Sequence, residues 1–294
     1  MKKLFLVGAL VALSLPALAI NGPKPTKSKV STNAGTFFFH WGYNRSWYTQ
    51  SEMHFEGQGY DFTMSDVTAH DHPAKFGKVY FNPKTVTVPQ FNARIGYNIS
   101  DNWAITFGYD HMKYIFADQN QVVLNGTIEP GIDPVSGLSG TYTDYAMTTE
   151  RPKFHYENSD GLNYIRAEIT RLQNIYHTKD RNFAITGLAS FSAGGILSFN
   201  DFRFGGVNTT RTISLSGYGI SGHLGLRFEF WKHVYLQANY GGGFLHQVKV
   251  RNRPDNIDPT AVTSQKFGYM EVNGVLGAMF YIRSKNGCNT CPSW

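Results

Sequence analysis

The chain has 294 residues, of which 16% are charged and 15% aromatic, with 30 glycines and a formal charge of +6. The cationic excess is spread out, with no dense basic run, which excludes a nucleic-acid footprint. Beyond residue 19 no stretch approaches the ~18 consecutive apolar residues of a membrane-spanning helix.

Lys2 and Lys3 precede an apolar stretch from Leu4 to Leu13, broken by Ser14 and Pro16, and then Ala17-Leu18-Ala19. Charge, apolar run and small-x-small site occur in the order of a secretory leader, so residues 1–19 are expected to be a signal peptide. A buried N-terminal helix would need no such order. Removing Lys2 and Lys3 takes the charge from +6 to +4. No Cys follows the site, so lipoprotein processing is not expected. Residues 20–34 hold two prolines and three lysines without periodicity and read as a periplasmic linker.

From Thr36 the pattern changes to period two, which sends alternate side chains to opposite faces of a sheet. Phe37, Phe39, Trp41 and Tyr43 share one face, with His40, Gly42 and Asn44 on the other. At 90–116, Phe91, Ala93, Ile95 and Tyr97 alternate with Asn92, Arg94, Gly96 and Asn98. After the turn Ser100-Asp101-Asn102, Trp103, Ile105, Phe107 and Tyr109 alternate with Ala104, Thr106, Gly108 and Asp110. One face is greasy and aromatic-ended and the other small or polar, as in the wall of a transmembrane barrel.

The same reading gives eight strands: 36–48, 89–99, 103–116, 161–172, 182–196, 214–230, 234–248 and 267–282. Short connections at 100–102, 173–181 and 231–233 alternate with longer ones at 49–88, 117–160, 197–213 and 249–266. Short turns belong in the periplasm and long loops outside the cell. Trp103 and Trp231 flank two short turns, where an aromatic girdle is expected. The fold class is therefore all-β, an eight-stranded antiparallel transmembrane β-barrel over residues 35–283 with long extracellular loops. Strand-like pieces at 52–69 and 120–129 extend the barrel above the membrane or, alternatively, make ten strands. A secreted β-sandwich or lipocalin-like barrel is the soluble alternative, with its greasy face inward.

Residues 284–294 form a polar periplasmic tail carrying Cys288 and Cys291. A thioredoxin-like C-x-x-C lies between a strand and a helix, and a zinc site needs two further ligands. A local disulfide is the plainer expectation. No metal or cofactor is expected.

Three segments, GYNRSWYTQSEMHFEGQGYDFTMSDV at 42–67, ITFGYDHMKYIF at 105–116 and YENSDGLNYIRAEI at 156–169, resemble a poorly characterised family of outer-membrane β-barrel proteins from Bacteroidetes-type bacteria. The architecture is similar to small OmpA- and OmpX-type barrels. The resemblance implies the outer membrane of a Gram-negative bacterium and supplies no catalytic residue to carry over.

Three groups of residues are candidates for chemistry. The lumen set is His40, Arg94, Asp110, Arg166, Glu168, His223, Arg227, Glu229 and Glu271. Both signs occur, so the set reads as a structural ion-pair plug or, alternatively, as a gated polar path. The rim set is Asp110, His111 and Lys113 with Glu157, Asn158 and Asp160. A carboxylate beside a His is the minimum for general acid/base work, making Asp110 and His111 the catalytic candidates. Lys113, Glu157, Asn158 and Asp160 are binding candidates for a divalent ion or lipopolysaccharide phosphate. Strand parity sends Asp110 inward and His111 outward, and a solvated strand end is the simpler account. In His70-Asp71-His72 two imidazoles share a face, with no clear third ligand. Gly194-Gly195 and Gly241-Gly242-Gly243 lack the following helix of a phosphate loop.

The leading functional expectation is a non-enzymatic, porin-like protein with a structural or ligand-binding role through loops 49–88 and 117–160. An enzyme acting on outer-membrane lipid and a narrow channel for small solutes are the alternatives. Outer-membrane lipid or lipopolysaccharide and an extracellular ligand are the expected partners, with the chain a monomer.

Overall fold

Strict alternation over long stretches leaves the backbone one way to satisfy its N–H and C=O groups away from water, namely pairing strand to strand. The computed structural model describes residues 33–281 except Phe76, Pro83 and Val86. The expected signal peptide, all but the end of the linker, and the tail with Cys288 and Cys291 lie outside the described residues.

Thirteen strands occur among the described residues: β1 (Thr36–Tyr48), β2 (Ser51–Gly57), β3 (Tyr60–Val67), β4 (Ala69–His70), β5 (Phe91–Asn98), β6 (Trp103–Phe116), β7 (Gln121–Ile128), β8 (Gly140–Thr148), β9 (His155–His177), β10 (Phe183–Phe204), β11 (Val207–Phe230), β12 (Val234–Arg251) and β13 (Val262–Tyr281). β1, β5, β6 and β9 to β13 overlap the eight expected segments. The expected loop at 197–213 is instead strand on both sides of a Gly205-Gly206 turn. Both glycines have positive φ, 62° and 79°, which the turn requires. Beyond Phe199 and Ile213 the outward face of this hairpin is polar, with Asp201, Arg203, Asn208 and Arg211, so the apolar alternation fades although the strands still pair through bulges. The expected loops at 49–88 and 117–160 likewise contain β2 to β4, and β7, β8 and the start of β9.

Antiparallel pairing runs β1–β5–β6–β9–β10–β11–β12–β13, and β13 pairs again with β1. Following cross-strand partners from Phe37 passes through Tyr97, Ile105, Ile169, Phe191, Gly222, Gly242 and Met270 and arrives at Trp47. The path returns to β1 ten residues above its start. Eight strands with that stagger tilt by roughly 40°.

β2 joins β13 at Val262–Lys266, above the Tyr269–Tyr281 stretch that pairs with β1. β3, β7 and β8 follow in order, and among the described residues β8 pairs only with β7. These strands and the upper parts of β9 to β13 form a head over the ring.

Burial differs between the two levels. Around the ring, outward Phe107, Phe191, Leu236, Leu276 and Phe280 are each more than half exposed. In the head the apolar residues point inward: Phe55, Phe62, Phe202 and Tyr156 are essentially inaccessible. Phe55 stacks on Phe62 and Phe202 at centroid distances of 5.3 and 5.7 Å. A smaller apolar layer of Phe38, Leu172, Leu188, Tyr235 and Met279 lies at the bottom of the ring.

Candidate functional site

His40, Arg94, Asp110, Arg166, Glu168, His223, Arg227, Glu229 and Glu271 all lie on the inner face of the ring. Asp110 on β6 lies between Arg94 on β5, at 2.6 Å, and Arg166 on β9, at 3.0 Å. Arg166 also reaches Glu168 at 3.6 Å and Glu271 at 4.0 Å, and donates to Ser192 and Ser221 at 3.1 and 2.5 Å. His223 Nε2 stands 2.8 Å from Glu271. These side chains are almost fully withdrawn from water, with Glu168 the most accessible at 12%. Charges so placed are tolerable only when paired on several sides.

The packing makes room for them. Gly108 lies beneath the Arg94 guanidinium, and a Cβ there would come within 2.6 Å of Arg94 Cδ. Gly277 likewise receives the Tyr235 ring. Lower in the ring Arg227 donates through Nε to Gln237 Oε1 at 2.8 Å and sits over the rings of Tyr235 and Phe38, at 4.3 and 5.3 Å. His40 Nδ1 meets the Tyr235 hydroxyl at 3.0 Å, and the Thr186 hydroxyl donates to Glu229 at 3.3 Å. A cavity of about 30 Å³ remains between these groups, enough for about two waters. Above the charges, the buried rings of Tyr114, Tyr156, Phe267 and Tyr269 pack together inside the barrel with the partly buried Tyr48. Tyr114 packs on Phe267 at 4.8 Å and on Tyr48 at 5.0 Å.

The rim set does not form one site. Asp110 belongs to the inner cluster, whereas His111 on the outer face puts Nδ1 2.8 Å from Asn163 Oδ1 and stacks on Phe91. The sheet separates the proposed acid–base couple, because adjacent strand residues face opposite ways. Lys113, expected to meet phosphate, is 9% exposed. Asn158 points inward, accepting from Gln247 at 3.0 Å and donating to Asn200 at 3.2 Å. Asp160 is bound to Arg211 at 2.8 Å on the outside.

Glu157, also outward, collects His155 Nε2 at 2.7 Å, Ser159 Oγ at 2.9 Å and Arg151 Nη2 at 3.0 Å. The His155 hydrogen bond is the largest cause that holds its carboxyl down at about 2. Burial pushes the neighbouring Asp201 carboxyl up. In the expected His70-Asp71-His72 motif, Asp71 binds Arg45 at 2.8 Å. Among the described residues no group of three or more His, Cys, Asp or Glu converges as a metal site.

The head supplies a feature that sequence reasoning did not place. A cavity of about 270 Å³ opens beside β8, lined by Leu138, Tyr145, Met147, Thr149 and Phe154, with the Glu150–Lys153 ion pair at its edge. The signal available for the head core itself was the alternation of Met53 and Phe55, then of Tyr60, Phe62 and Met64.

No protein-family model and no curated protein matches the chain. Among solved structures, the chain is similar to the outer membrane protein OprG from Pseudomonas aeruginosa. The TM-score is 0.36 with 10% identity, over 86% of this chain and 99% of that one. Ail, the attachment invasion locus protein of Yersinia pestis, aligns with a TM-score of 0.30 and 14% identity, over 84% of this chain and 99% of that one. Neisserial surface protein A aligns with a TM-score of 0.32 and 9% identity, over 84% of this chain and 98% of that one.

Proposed function

We propose that the chain is an outer-membrane β-barrel of a Gram-negative bacterium, a member of the family its segments resemble. In this reading the eight-strand ring crosses the bilayer and the head stands outside the cell as a surface-binding module. The observation that carries it is the outward apolar belt around the ring, with Phe107 65%, Phe191 56% and Leu276 58% exposed, enclosing buried, paired charges. Such a wall would expose far too much apolar surface to water, while lipid covers it at no cost.

The role is structural and ligand-binding rather than conductive. The Arg94–Asp110–Arg166 cluster and the rings above it occupy the path a solute would take. The cavity beside β8, where Leu138, Met147 and Phe154 meet a mainly polar lining of Ser136, Thr148, Thr149, Glu150 and Lys153, is where an extracellular ligand would be held.

Reconstitution into a planar bilayer tests this reading. The protein folds into the bilayer, shows heat-modifiable migration in gels, and gives no stable unitary conductance. A reproducible pore would overturn the sealed lumen. A water-soluble monomer that ignores detergent and vesicles would overturn the membrane placement.

A further inference from the structure

The ring's outer surface is not the same height all round. On β11 and β12 apolar residues continue upward through Tyr218 and Phe244 to Ile213, Leu215 and Val248, which are 57%, 79% and 50% exposed. On β5 and β6 the exposed belt stops near Phe107, because Phe91 and His111 above it are buried. Strand rise and tilt put the two upper limits roughly 20 Å apart.

The lower side is where the segment 71–90 lies. Its described part has no strand, only a short 3-10 turn at Lys78–Tyr80. It is tied to the outer face of β1: Tyr43 donates its hydroxyl to the Tyr80 carbonyl at 2.6 Å, their rings pack at 4.8 Å, and Asp71 holds Arg45. Irregular backbone is not stable in contact with hydrocarbon, so this segment marks the level at which headgroups begin.

Its chemistry suits that level. Lys75, Lys78 and Lys84 are exposed, and none takes part in an ion pair among the described residues. The segment's one acid, Asp71, is already bound to Arg45. Phe81, at 74%, and Val88, at 51%, present apolar surface in the same segment as the lysines. Cations next to outward rings are the composition of an interfacial anchor.

We propose that segment 71–90 is a collar that binds the phosphorylated headgroups of outer-leaflet lipid, through Lys75, Lys78 and Lys84, with Phe81 and Val88 entering the upper acyl region. It rests on the outer-membrane reading above. Lys113, being buried, is not a phosphate ligand in this arrangement. The leaflet meets the barrel low beside β5 and β6 and high beside β11 and β12.

The test is native mass spectrometry of the full mature chain, released from detergent with lipid A or with phosphatidylcholine, for wild type and for Lys75→Gln/Lys78→Gln/Lys84→Gln. Wild type retains lipid A in preference to phosphatidylcholine, and the triple variant loses that retention by roughly tenfold or more. Equal retention by the variant overturns the collar. Displacement of lipid A by low concentrations of inorganic phosphate also overturns it, because the ligand is then free phosphate and not a headgroup. Heat-modifiable migration of both proteins in phosphatidylcholine vesicles is recorded alongside. If neither inserts, the membrane reading itself fails; if both insert and bind lipid A alike, only the collar fails.

Discussion

β9 to β13 run through both the ring and the head, and the chemistry of their two faces changes places on the way. In the ring Ile165 and Ile169 point outward while Arg166 and Glu168 point inward. In the head, on the same strand, Tyr156 points inward and Glu157 outward. Pairing slips at bulges near the boundary, at Met112/Tyr114 on β6, Ser198/Asp201 on β10 and Gln247/Val250 on β12, but Arg166 and Tyr156 both point inward and it is the chemistry of the faces that changes. In the proposed placement the solvent accounts for the inversion: lipid rewards apolar groups outside, and water rewards them inside. An inverted pattern along one strand therefore marks where a membrane surface would cross it.

If the ring is held by paired buried charges and the head by rings, the two should fail differently. The largest effect is expected from Asp110→Ala, which leaves Arg94 and Arg166 without their shared carboxylate and costs about 4 kcal/mol. Urea unfolding in detergent micelles should show the loss across the whole ring. A change under 1 kcal/mol would mean that the cluster is not an electrostatic keystone. Phe55→Ala should remove about 3 kcal/mol, confined to the head. Hydrogen exchange would then rise in β2, β3 and β7 while β5 and β6 stay protected. Uniform loss would join the two regions into one cooperative unit.

A smaller penalty, about 2 kcal/mol, is expected from Gly277→Ala, which drives a methyl into the Tyr235 ring and disturbs Arg227. Thermal unfolding of this variant in micelles would measure it.

The pH response should belong to the head. Glu157 titrates at about 2 when folded, below the ordinary value of ~4.3 for a free Glu. Its depressed value means that its contribution is complete above ~4.3 and disappears as pH falls from there towards 2. Limited proteolysis of the head should accelerate across that window and do so less in Glu157→Gln. An identical acid response in the variant would assign the effect to other carboxylates. The least effect is expected for Arg45→Ala: the Arg45–Asp71 pair is half open to solvent on the Arg45 side, and its loss should cost about 0.5 kcal/mol.

The ring strands were legible because their outward apolar alternation is strong. Ile95, Tyr97, Ile105 and Phe107 could be assigned to one face without knowing their partners. The inward set was legible for the same reason, as its parity is that of the strand. The rim pair Asp110 and His111 shows the limit of closeness in sequence, since adjacent residues on a strand are separated by the sheet. The head was harder to read. Its outward faces are polar and its turns irregular, so 197–213 looked like a loop although Phe202 and Phe204 already alternated inward.

The sequence by itself determined period, parity and the composition of each face, because these depend only on bond geometry and on which groups tolerate which solvent. It therefore defined an all-β chain with apolar and polar faces at known positions. The tertiary structure decided the rest: that β13 carries both β1 and β2 at different heights, that Asp110 is shared by two arginines, and that segment 71–90 folds back against β1. Those outcomes depend on register and stagger between segments far apart in the chain, which no local pattern specifies.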